Sequence, residues 1–394
     1  MIKVSNIVVC GVCSQSTLDS LWELPNFPLT EMFGKYDQNF PNFNQKLLIC
    51  DACSHVQLDT QIDPNFLYTP SQYAFRTLAT QKIARELDFL VSFIRKSFPN
   101  LSNSSVLEVG SSNLELATTL KPYVGEYSVC DPLLEEQDGQ IIDGINIFGC
   151  LAEELVVKVK FSFNLIFGRH VLEHIENPRE FLVNMVESAS PETVFIFEVP
   201  SLKHLRMKNR FDAVIHQHCQ YFDMSSVLKL LTEIGCNLID YTFNTEGSNG
   251  GSLLFSFSRT SQEGQIPYKG DLDLPKKKSQ ISHEISRYKL QMNLLADLVN
   301  SSQSKVVGYG AAHMLATFNY HLGGSVENLG FVFDDNADLH GSEYRNIRVP
   351  IVSTESLDWE DIQTVLITSM ENCRSMTQKM LSLPGITVIA PSLL

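Results

Sequence analysis

The stretch from Phe211 to Phe222 reads FDAVIHQHCQYF and places two histidines, His216 and His218, on either side of Gln217. An imidazole titrates near neutral pH, so a positioned histidine can take a proton from a bound substrate. Histidines with satisfied hydrogen bonds also occur in protein interiors without any chemical role. The segment therefore predicts either a proton-transfer site or a purely structural element, and both interpretations stay open at this point.

Four cysteines near the N-terminus form two C-x-x-C pairs, Cys10 with Cys13 and Cys50 with Cys53. Two such pairs can supply four thiolates to a tetrahedral Zn²⁺ site. Four thiolates leave no coordination position open, so this metal would stabilise the fold and take no part in a reaction. Four buried or redox cysteines are the alternative. We expect the remaining cysteines to be packing residues: Cys130, Cys150, Cys219, Cys236 and Cys373.

A tight turn follows the apolar run SVLEV, with Gly110, Ser111 and Asn113 ahead of a helical pattern. A glycine between a strand and a helix lets a cofactor approach the backbone, and an acidic residue ending the next strand can bind ribose hydroxyls. Asp131, at the end of EYSVCD, occupies that position. One glycine after a strand also occurs in turns that bind nothing, so this motif is weak by itself.

A second polar group, Arg169, His170, Glu173 and His174, follows the apolar run FNLIF. His170 and His174 are four residues apart and could share one face of a helix, as a pair of metal ligands does. The neighbouring sequence offers no third ligand at a suitable spacing. We therefore favour a pocket-lining role for both histidines over a metal site.

Composition excludes several classes of function. The 394-residue chain has a formal net charge of −15, which argues against nucleic-acid binding. No apolar run is long enough to span a membrane, and the N-terminus lacks a secretory signal, so we expect a cytoplasmic protein with reduced thiols. The basic run Lys276–Lys278 is interpreted as a solvated helix start, with phosphate binding as the alternative.

These residues lie among alternating strand and helix patterns. Apolar runs such as SVLEVG, EYSVCD, FNLIFG and TVFIFEVP alternate with amphipathic segments such as REFLVNMVESA. This pattern predicts a mostly parallel, doubly wound α/β sheet. A hairpin, a polar linker and a long amphipathic helix precede a second α/β run that begins at KVVGYGAAHM. We predict three domains, at residues 1–66, 67–260 and 275–394.

Taken together, the motifs carry a family resemblance. CGVC, CDACSHVQL, VLEVGSSN, FDAVIHQHCQYF, SNGGSLLF, GYGAAHM and FDDN occur in one order from residue 10 to about residue 336. In this respect the chain resembles the sugar C-methyltransferases, which methylate carbon 3 of nucleotide-linked 4-keto-deoxysugars. The resemblance implies a zinc-binding domain, a class I methyltransferase domain that uses S-adenosylmethionine (SAM), and a C-terminal Rossmann-like domain that helps to hold the nucleotide-linked sugar. A monomer is the default expectation.

The resemblance also implies residue roles. His218 is the expected base, His216 and Gln217 would orient it, and Tyr68 or Tyr73 would steady the sugar or an enolate oxygen. The implied cofactor contacts are Gly110, Ser111, Asn113, Asp131 and His170. The implied sugar-nucleotide contacts are His174, Asn249, Gly250, Ser252, Tyr309 and Asp334.

The sequence departs from the family pattern in several places. Leu114 replaces a glycine and Asn113 an aspartate of the SAM turn, while Gln217 replaces a glutamate between the two histidines. The segment after Gly250 lacks the family's arginine, and His313 with Met314 replaces a frequent Lys-Gly pair. Three functions therefore compete: the C-methyltransferase, a methyltransferase with an oxygen or nitrogen acceptor, and a sugar-nucleotide-binding protein with a degenerate SAM site. A dehydrogenase or epimerase is the weakest alternative, and we expect no tightly bound NAD.

Overall fold

The computed structural model describes residues 2–67, 81–111, 114–158, 162–260 and 273–391. Contacts group the chain into two compact units. The first comprises Met1–Leu21, Leu47–Lys208 and Gln217–Lys278, and the second comprises Trp22–Lys46, Asn209–His216 and Ser279–Leu394. Both units are discontinuous in sequence. The division into domains at 1–66, 67–260 and 275–394 stays a prediction.

Short strands surround the N-terminal cysteines. They are β1 (Val4–Asn6), β2 (Leu18–Phe27), β3 (Phe43–Cys50), β4 (Val56–Leu58) and β5 (Thr60–Ile62), followed by the single turn α1 (Pro64–Leu67). Both β1 with β5 and β3 with β4 pair antiparallel. Because Cys50 ends β3 and Cys53 shortly precedes β4, one cysteine pair forms the connection of this hairpin.

The first unit continues through alternating helices and strands. These are α2 (Gln81–Ser97), β6 (Ser105–Val109), α3 (Glu115–Leu120), β7 (Glu126–Cys130), β8 (Ile141–Ile142), β9 (Ile145–Phe148), α4 (Ala152–Lys158), β10 (Leu165–Arg169), α5 (Pro178–Ser188), β11 (Val194–Pro200), α6 (Leu202–Met207), β12 (Gln220–Tyr221), α7 (Met224–Glu233), β13 (Asn237–Asn244) and β14 (Ser252–Ser258). The main sheet has the order β13-β14-β11-β10-β6-β7-β9-β8. From β11 to β9 the neighbours are parallel, whereas β14 is antiparallel to β11 and β13. The predicted class I methyltransferase sheet is confirmed.

The topology of this sheet places its ligand-binding edge. From β6 the chain moves outward to β7 and β9, then returns to β10 on the other side of β6. Ligands of open α/β sheets bind at such a switch point, beyond the carboxyl ends of the strands. Every residue of β11 is buried, as expected for a strand covered on both faces, and the Phe195 and Phe257 rings stack with centroids 5.1 Å apart.

The second unit contains most of the long helix α8 (Leu274–Asn300). It also contains β15 (Val306–Tyr309), α9 (Leu315–His321), β16 (Val332–Asp334), β17 (Ile351–Ser353), β18 (Thr364–Ile367), α10 (Cys373–Leu381) and β19 (Thr387–Ile389). The sheet order is β17-β16-β15-β18-β19, and all neighbours are parallel. The expected second Rossmann-like domain is therefore present.

The basic run at the start of α8 is solvated only in part, since Lys276 is exposed but Lys277 is not. Lys277 is buried, and its ammonium donates to the Ser54 carbonyl at 2.7 Å and to Asp223 at 2.6 Å. Lys278 pairs with Asp19. The ammonium groups of Lys277 and Lys278 are thus paired with residues from distant parts of the chain, and the local sequence could not show these contacts. Among the described residues, no helix combines the length and apolar character needed to cross a bilayer.

Candidate active site

The turn after β6 has a backbone conformation and a close neighbour that favour glycine at position 110. Gly110 has φ 79°, a left-handed conformation that favours glycine, and its N–H donates to the Cys130 carbonyl at 2.8 Å. A Cβ atom on Gly110 would lie 2.4 Å from Cγ2 of Val171. The glycine turn is therefore packed directly against the segment that follows β10.

Leu114 has the strained backbone conformation that is expected where a leucine stands in place of the family's glycine. Its φ and ψ are 61° and 10°, at the start of α3, and its side chain packs against the core of the unit. A side chain in this left-handed region costs about 1–2 kcal/mol. Ser111 is buried, whereas Asn113 lies outside the described residues.

Asp131 directly follows β7, at the position where the sequence predicts an acidic residue that binds ribose hydroxyls. It is buried, and its Oδ1 accepts from the Leu133 N–H at 2.8 Å, which caps the turn Pro132–Gln137. Burial raises the pKa of a second carboxyl, Glu108 in β6, to about 7, against the Tyr127 hydroxyl that donates to it at 2.6 Å.

The polar segment after β10 does not form the metal pair considered for His170 and His174. His170 has φ 53°, and a single turn, Leu172–His174, follows it. His170 Nδ1 donates to Glu173 Oε1 at 2.9 Å, while one potential ligand atom each of Glu173, His174 and His218 lies within 4.8 Å of the others. The third group that the neighbouring sequence lacked comes from His218, far along the chain.

His174 and Glu173 each form a hydrogen bond with a neighbouring residue. His174 Nδ1 donates to the Gln217 main-chain carbonyl at 2.6 Å, and Glu173 Oε1 accepts from His170. The His174 and His218 rings meet edge to face with centroids 5.0 Å apart. The distances would suit a divalent metal, and a histidine that donates from one ring nitrogen to a carbonyl can bind a metal through the other. The same arrangement places two imidazoles beside a carboxylate, where a proton can be taken up.

Burial and neighbouring charges have opposite effects on the pKa values of His170, Glu173 and His174. Burial disfavours protonated His170, but the hydrogen bond and charge of Glu173 outweigh it and raise the His170 pKa. Burial likewise opposes ionisation of Glu173, yet His170, His174 and His218 together lower its pKa. Burial lowers the pKa of His174, against the charge of Glu173. Glu173 thus favours protonation of His170 at one oxygen, while burial favours the neutral form of His174.

The N-terminal hairpin holds the His218 segment. Strand β12 pairs antiparallel with β4, Gln220 opposite Gln57, and the Leu58 N–H donates to the Cys219 carbonyl at 2.9 Å. His55 and Gln220 are joined by a 2.8 Å hydrogen bond between Nε2 and Oε1. The cysteine-bearing hairpin therefore fixes the backbone on which His218 stands.

His216 has a structural environment. It is buried in the second unit, where Nε2 donates to the Phe27 carbonyl at 3.2 Å and its ring contacts the rings of Phe27 and Phe43. Burial lowers its pKa to about 4, so it is neutral near pH 7. This favours the structural interpretation for His216, and the orienting role stays a prediction.

The glycine-rich loop before β14 belongs to a buried ionic network. Arg169 donates from Nε to Glu198 at 3.2 Å and pairs with Glu86, and both carboxylates are buried. Ser252 Oγ donates to Glu198 Oε1 at 2.5 Å. Ser252 thus faces this network, while Asn249 and Gly250 form the turn at φ 56° and 93°. Contact of these three residues with a sugar stays a prediction.

The predicted ligand residues of the second unit are engaged with neighbours. Asp334 ends β16, where its oxygens accept from the main-chain N–H groups of Ala311 at 2.7 Å and Asn336 at 2.8 Å. Tyr309 is buried, stacks on Phe333 and donates to Asp335. Substrate binding by either residue is a prediction. Tyr68 and Tyr73 lie outside the described residues.

The four N-terminal cysteines come together as the sequence predicts. Cys10, Cys13, Cys50 and Cys53 are buried with their sulfurs within 4.8 Å of one another. The sulfur separations of 3.5 Å for Cys10–Cys53 and 3.6 Å for Cys13–Cys50 are close to the roughly 3.8 Å edge of a tetrahedral Zn–S₄ site. Hydrogen bonding to Cys53 lowers the Cys10 pKa to about 4 and raises that of Cys53. The residues fit a zinc ion, whose charge would let all four ionise.

The other cysteines are all buried, as predicted, but two of them also meet. The sulfurs of Cys130 and Cys150 lie 3.9 Å apart at the ends of β7 and β9. This contact is compatible with the predicted packing role, and it arises because parallel pairing of these strands brings their ends together.

Sequence reasoning missed the carboxylates Glu86 and Glu198, and it named Glu173 without giving it a role. Glu173 had a local signal, because it follows His170 by three residues and can face it across one turn. Glu198, in EVP at the end of β11, had a weaker signal as a charge within an apolar strand. Glu86 sits in an amphipathic helix with no distinguishing feature.

Comparison with known proteins agrees with this geometry. Residues 75–241 match the methyltransferase domain family and residues 269–383 match the C-methyltransferase C-terminal domain family. C-methyltransferase NovU of Streptomyces niveus is 23% identical over 329 residues, covering 79% of this chain and 77% of NovU.

Solved structures with similarity to part of the chain are also methyltransferases. A methyltransferase of Bacillus halodurans C-125 is 15% identical, with a TM-score of 0.34, and covers 45% of this chain and 100% of its own. N-methyltransferase NodS of Bradyrhizobium japonicum WM9, in complex with S-adenosyl-L-homocysteine, is 14% identical, with a TM-score of 0.34, and covers 45% of this chain and 88% of its own.

Proposed function

We propose that this chain, which matches a methyltransferase domain family and a C-methyltransferase C-terminal domain family and is similar to C-methyltransferase NovU, is a sugar C-methyltransferase. It would methylate the carbon next to the ketone of a nucleotide-linked deoxysugar. The observation that carries the proposal is the imidazole pair His174–His218 beside buried Glu173. His174 lies on the segment that packs against the Gly110 turn through Val171, and His218 reaches it from the segment before β12. The proposed base would thus lie near the proposed cofactor turn, at the switch point of one sheet.

His218 is the proposed base. A C–H bond next to a ketone is acidic enough for a positioned imidazole, which takes the proton and leaves the electron pair in an enolate. Because His174 donates from Nδ1 to the Gln217 carbonyl, its Nε2 carries a lone pair and can accept hydrogen bonds or protons at the same site. Bound SAM would supply an electrophilic methyl group, to which the enolate carbon bonds as the S–CH₃ bond breaks.

The remaining roles follow from the fold. The Gly110 turn and the buried Ser111 would hold the cofactor, and Asp131, whose Oδ1 caps the next turn, would bind ribose. The four-cysteine cluster would hold a structural Zn²⁺, which keeps the β4 hairpin, and with it β12, in place. Binding of the nucleotide part of the substrate by Tyr309 and Asp334 stays an implication of the family resemblance.

Calorimetric titration with SAM and S-adenosylhomocysteine is the first test, on zinc-loaded protein. We expect micromolar binding. A panel of nucleotide-linked 4-keto-deoxysugars in deuterated water should then show hydrogen exchange next to the ketone, and methyl transfer once SAM is added. His218→Gln should reduce both by about 10²–10⁴-fold with cofactor affinity retained, whereas His283→Gln, on the exposed side of α8, should not.

Other outcomes select the competing functions. Methyl transfer without carbon exchange would point to an oxygen or nitrogen acceptor. Sugar-nucleotide binding by folded protein that neither binds cofactor nor turns over would point to a binding protein with a degenerate site. Either result would overturn the proposal.

A further inference from the structure

A buried carboxylate adjoins the proposed base, although the residue between the two sequence histidines is neutral. Gln217 contributes its main-chain carbonyl to His174, and its side chain carries no charge. Glu173 is only 1% exposed, and its Oε2 has no hydrogen-bond partner within the described part of the chain. A buried carboxylate oxygen left in this state is destabilising, which is typical of a group retained for function.

Glu173 is close enough to act on both imidazoles. Its ligand atom and those of His174 and His218 lie within 4.8 Å of one another. At such separations inside a protein, an opposite charge changes the proton affinity of a histidine substantially. Glu173 also lies in the same turn as His174, so the protein positions charge and imidazole together.

We propose that Glu173 is a positioning residue for the His174–His218 pair, supplying the negative charge that Gln217 does not carry. The inference rests on the proposed function, because the pair needs this charge only if it takes a proton from a substrate. Glu173 stabilises the protonated imidazole that forms as the carbon loses its proton. It touches neither substrate nor cofactor in this role.

His170 modulates the effect of the Glu173 charge on the His174–His218 pair. It donates to Glu173 Oε1, and the neighbouring charges of Arg169 and Glu198 act on His170 in turn. Among the charges that act on His174, Glu173 favours its protonated form and His170 opposes it. Removal of Glu173 should therefore weaken proton binding by the pair, and removal of His170 should strengthen it.

The direct test is NMR titration of full-length, zinc-loaded protein labelled at histidine Cε1, with His174→Gln and His218→Gln used to assign the signals. We expect Glu173→Gln to lower the pKa of the pair by about one unit and His170→Gln to raise it. The double variant E173Q/Q217E should recover part of the loss. Glu126→Gln removes an exposed carboxylate of β7 and should leave both signals unchanged.

These opposite directions distinguish positioning from mere structural support, which would not give shifts of opposite sign. Unchanged titration in both E173Q and H170Q would overturn the inference. If E173Q does not fold, the direction seen in H170Q still decides, because Glu173 is intact in that variant.

The catalytic consequence is measured separately, as the pH profile of substrate hydrogen exchange with the most reactive member of the 4-keto-deoxysugar panel. In E173Q the plateau should fall about tenfold and the acid limb should move to lower pH, with KM little changed. If E173Q and H170Q alter the histidine titration but the wild type shows no substrate hydrogen exchange, the proposed function is refuted. The effect of Glu173 on the pKa of the pair would still hold. Exchange in the wild type with an unaltered profile in E173Q would sink only the role of Glu173.

Discussion

Arg169 Nε donates to Glu198 Oε2 across 3.2 Å and thereby joins the carboxyl ends of two adjacent parallel strands, β10 and β11. The same guanidinium pairs with Glu86 of α2, and Ser252 closes the network from β14. One cation therefore holds two buried carboxylates at the edge of the sheet where the site lies.

Replacement of this cation should be strongly destabilising. Arg169→Met leaves Glu198 without its guanidinium partner and Glu86 with the Lys82 ammonium at 3.9 Å, so we expect a loss of about 3–5 kcal/mol in the free energy of unfolding by urea. Arg169→Lys should lose less. Arg95→Met, at an exposed position of α2, is the matched control and should change stability by less than about 1 kcal/mol. An equal effect of both methionine variants would contradict this account.

Gly110→Ala should abolish cofactor binding. The new Cβ would lie 2.4 Å from Cγ2 of Val171 and the residue would be held at φ 79°, so the turn must move. Calorimetry with S-adenosylhomocysteine measures the loss. Gly139→Ala has a similar φ of 75° with nothing within 4 Å of the added carbon, so it isolates the backbone effect and should leave affinity intact.

Leu114→Gly should relieve strain near the cofactor turn. Removal of the side chain recovers about 1–2 kcal/mol from the left-handed backbone and loses a similar amount of packing, so stability should change little while cofactor affinity stays or improves. Leu114→Ala keeps the backbone penalty and loses the packing. It should unfold at lower urea than Leu114→Gly, and the reverse order would refute the strain argument.

Loss of the thiolate set should loosen the His218 segment. Cys50→Ser is expected to lower zinc content from one ion per chain and to increase hydrogen exchange at Cys219 and Tyr221, because β12 pairs with the hairpin that carries Cys50. Cys236→Ser, a buried cysteine outside the cluster, should keep its zinc. Two ions per wild-type chain would instead indicate that the histidine cluster also binds metal.

His321 should make the second unit sensitive to acid. Burial lowers its pKa to about 4, below the value of about 6.5 in an unfolded chain, so the unfolded state binds more protons between these pH values. Stability is therefore retained above about pH 6.5 and falls as pH drops toward 4.

His321→Gln should reduce the difference in unfolding free energy between about pH 7 and about pH 5 by an amount on the order of 1 kcal/mol. Some dependence remains from His216, whose pKa is also lowered to about 4. His283→Gln removes an exposed histidine and should not alter the slope. A slope unchanged in His321→Gln would show that this ring does not resist protonation.

Local sequence patterns determined much of this protein. The C-x-x-C pairs identified a four-thiolate cluster, and the alternation of strands and helices identified both α/β sheets, because these features depend on residue type and short spacing. The glycine turn was also accessible, since the left-handed conformation at Gly110 is one that glycine favours. The family resemblance rested on the same local motifs.

Only the tertiary structure decided which side chains meet. His218 joins Glu173 and His174 because β12 pairs with β4, and Cys130 meets Cys150 because β7 pairs with β9. Ser252 bonds Glu198 across adjacent strands, a contact that the sequence did not indicate, and its contact with a sugar stays a prediction. The sequence specifies the chemical groups and their local conformations, whereas strand pairing between distant segments sets the few ångströms that determine proton affinity and charge.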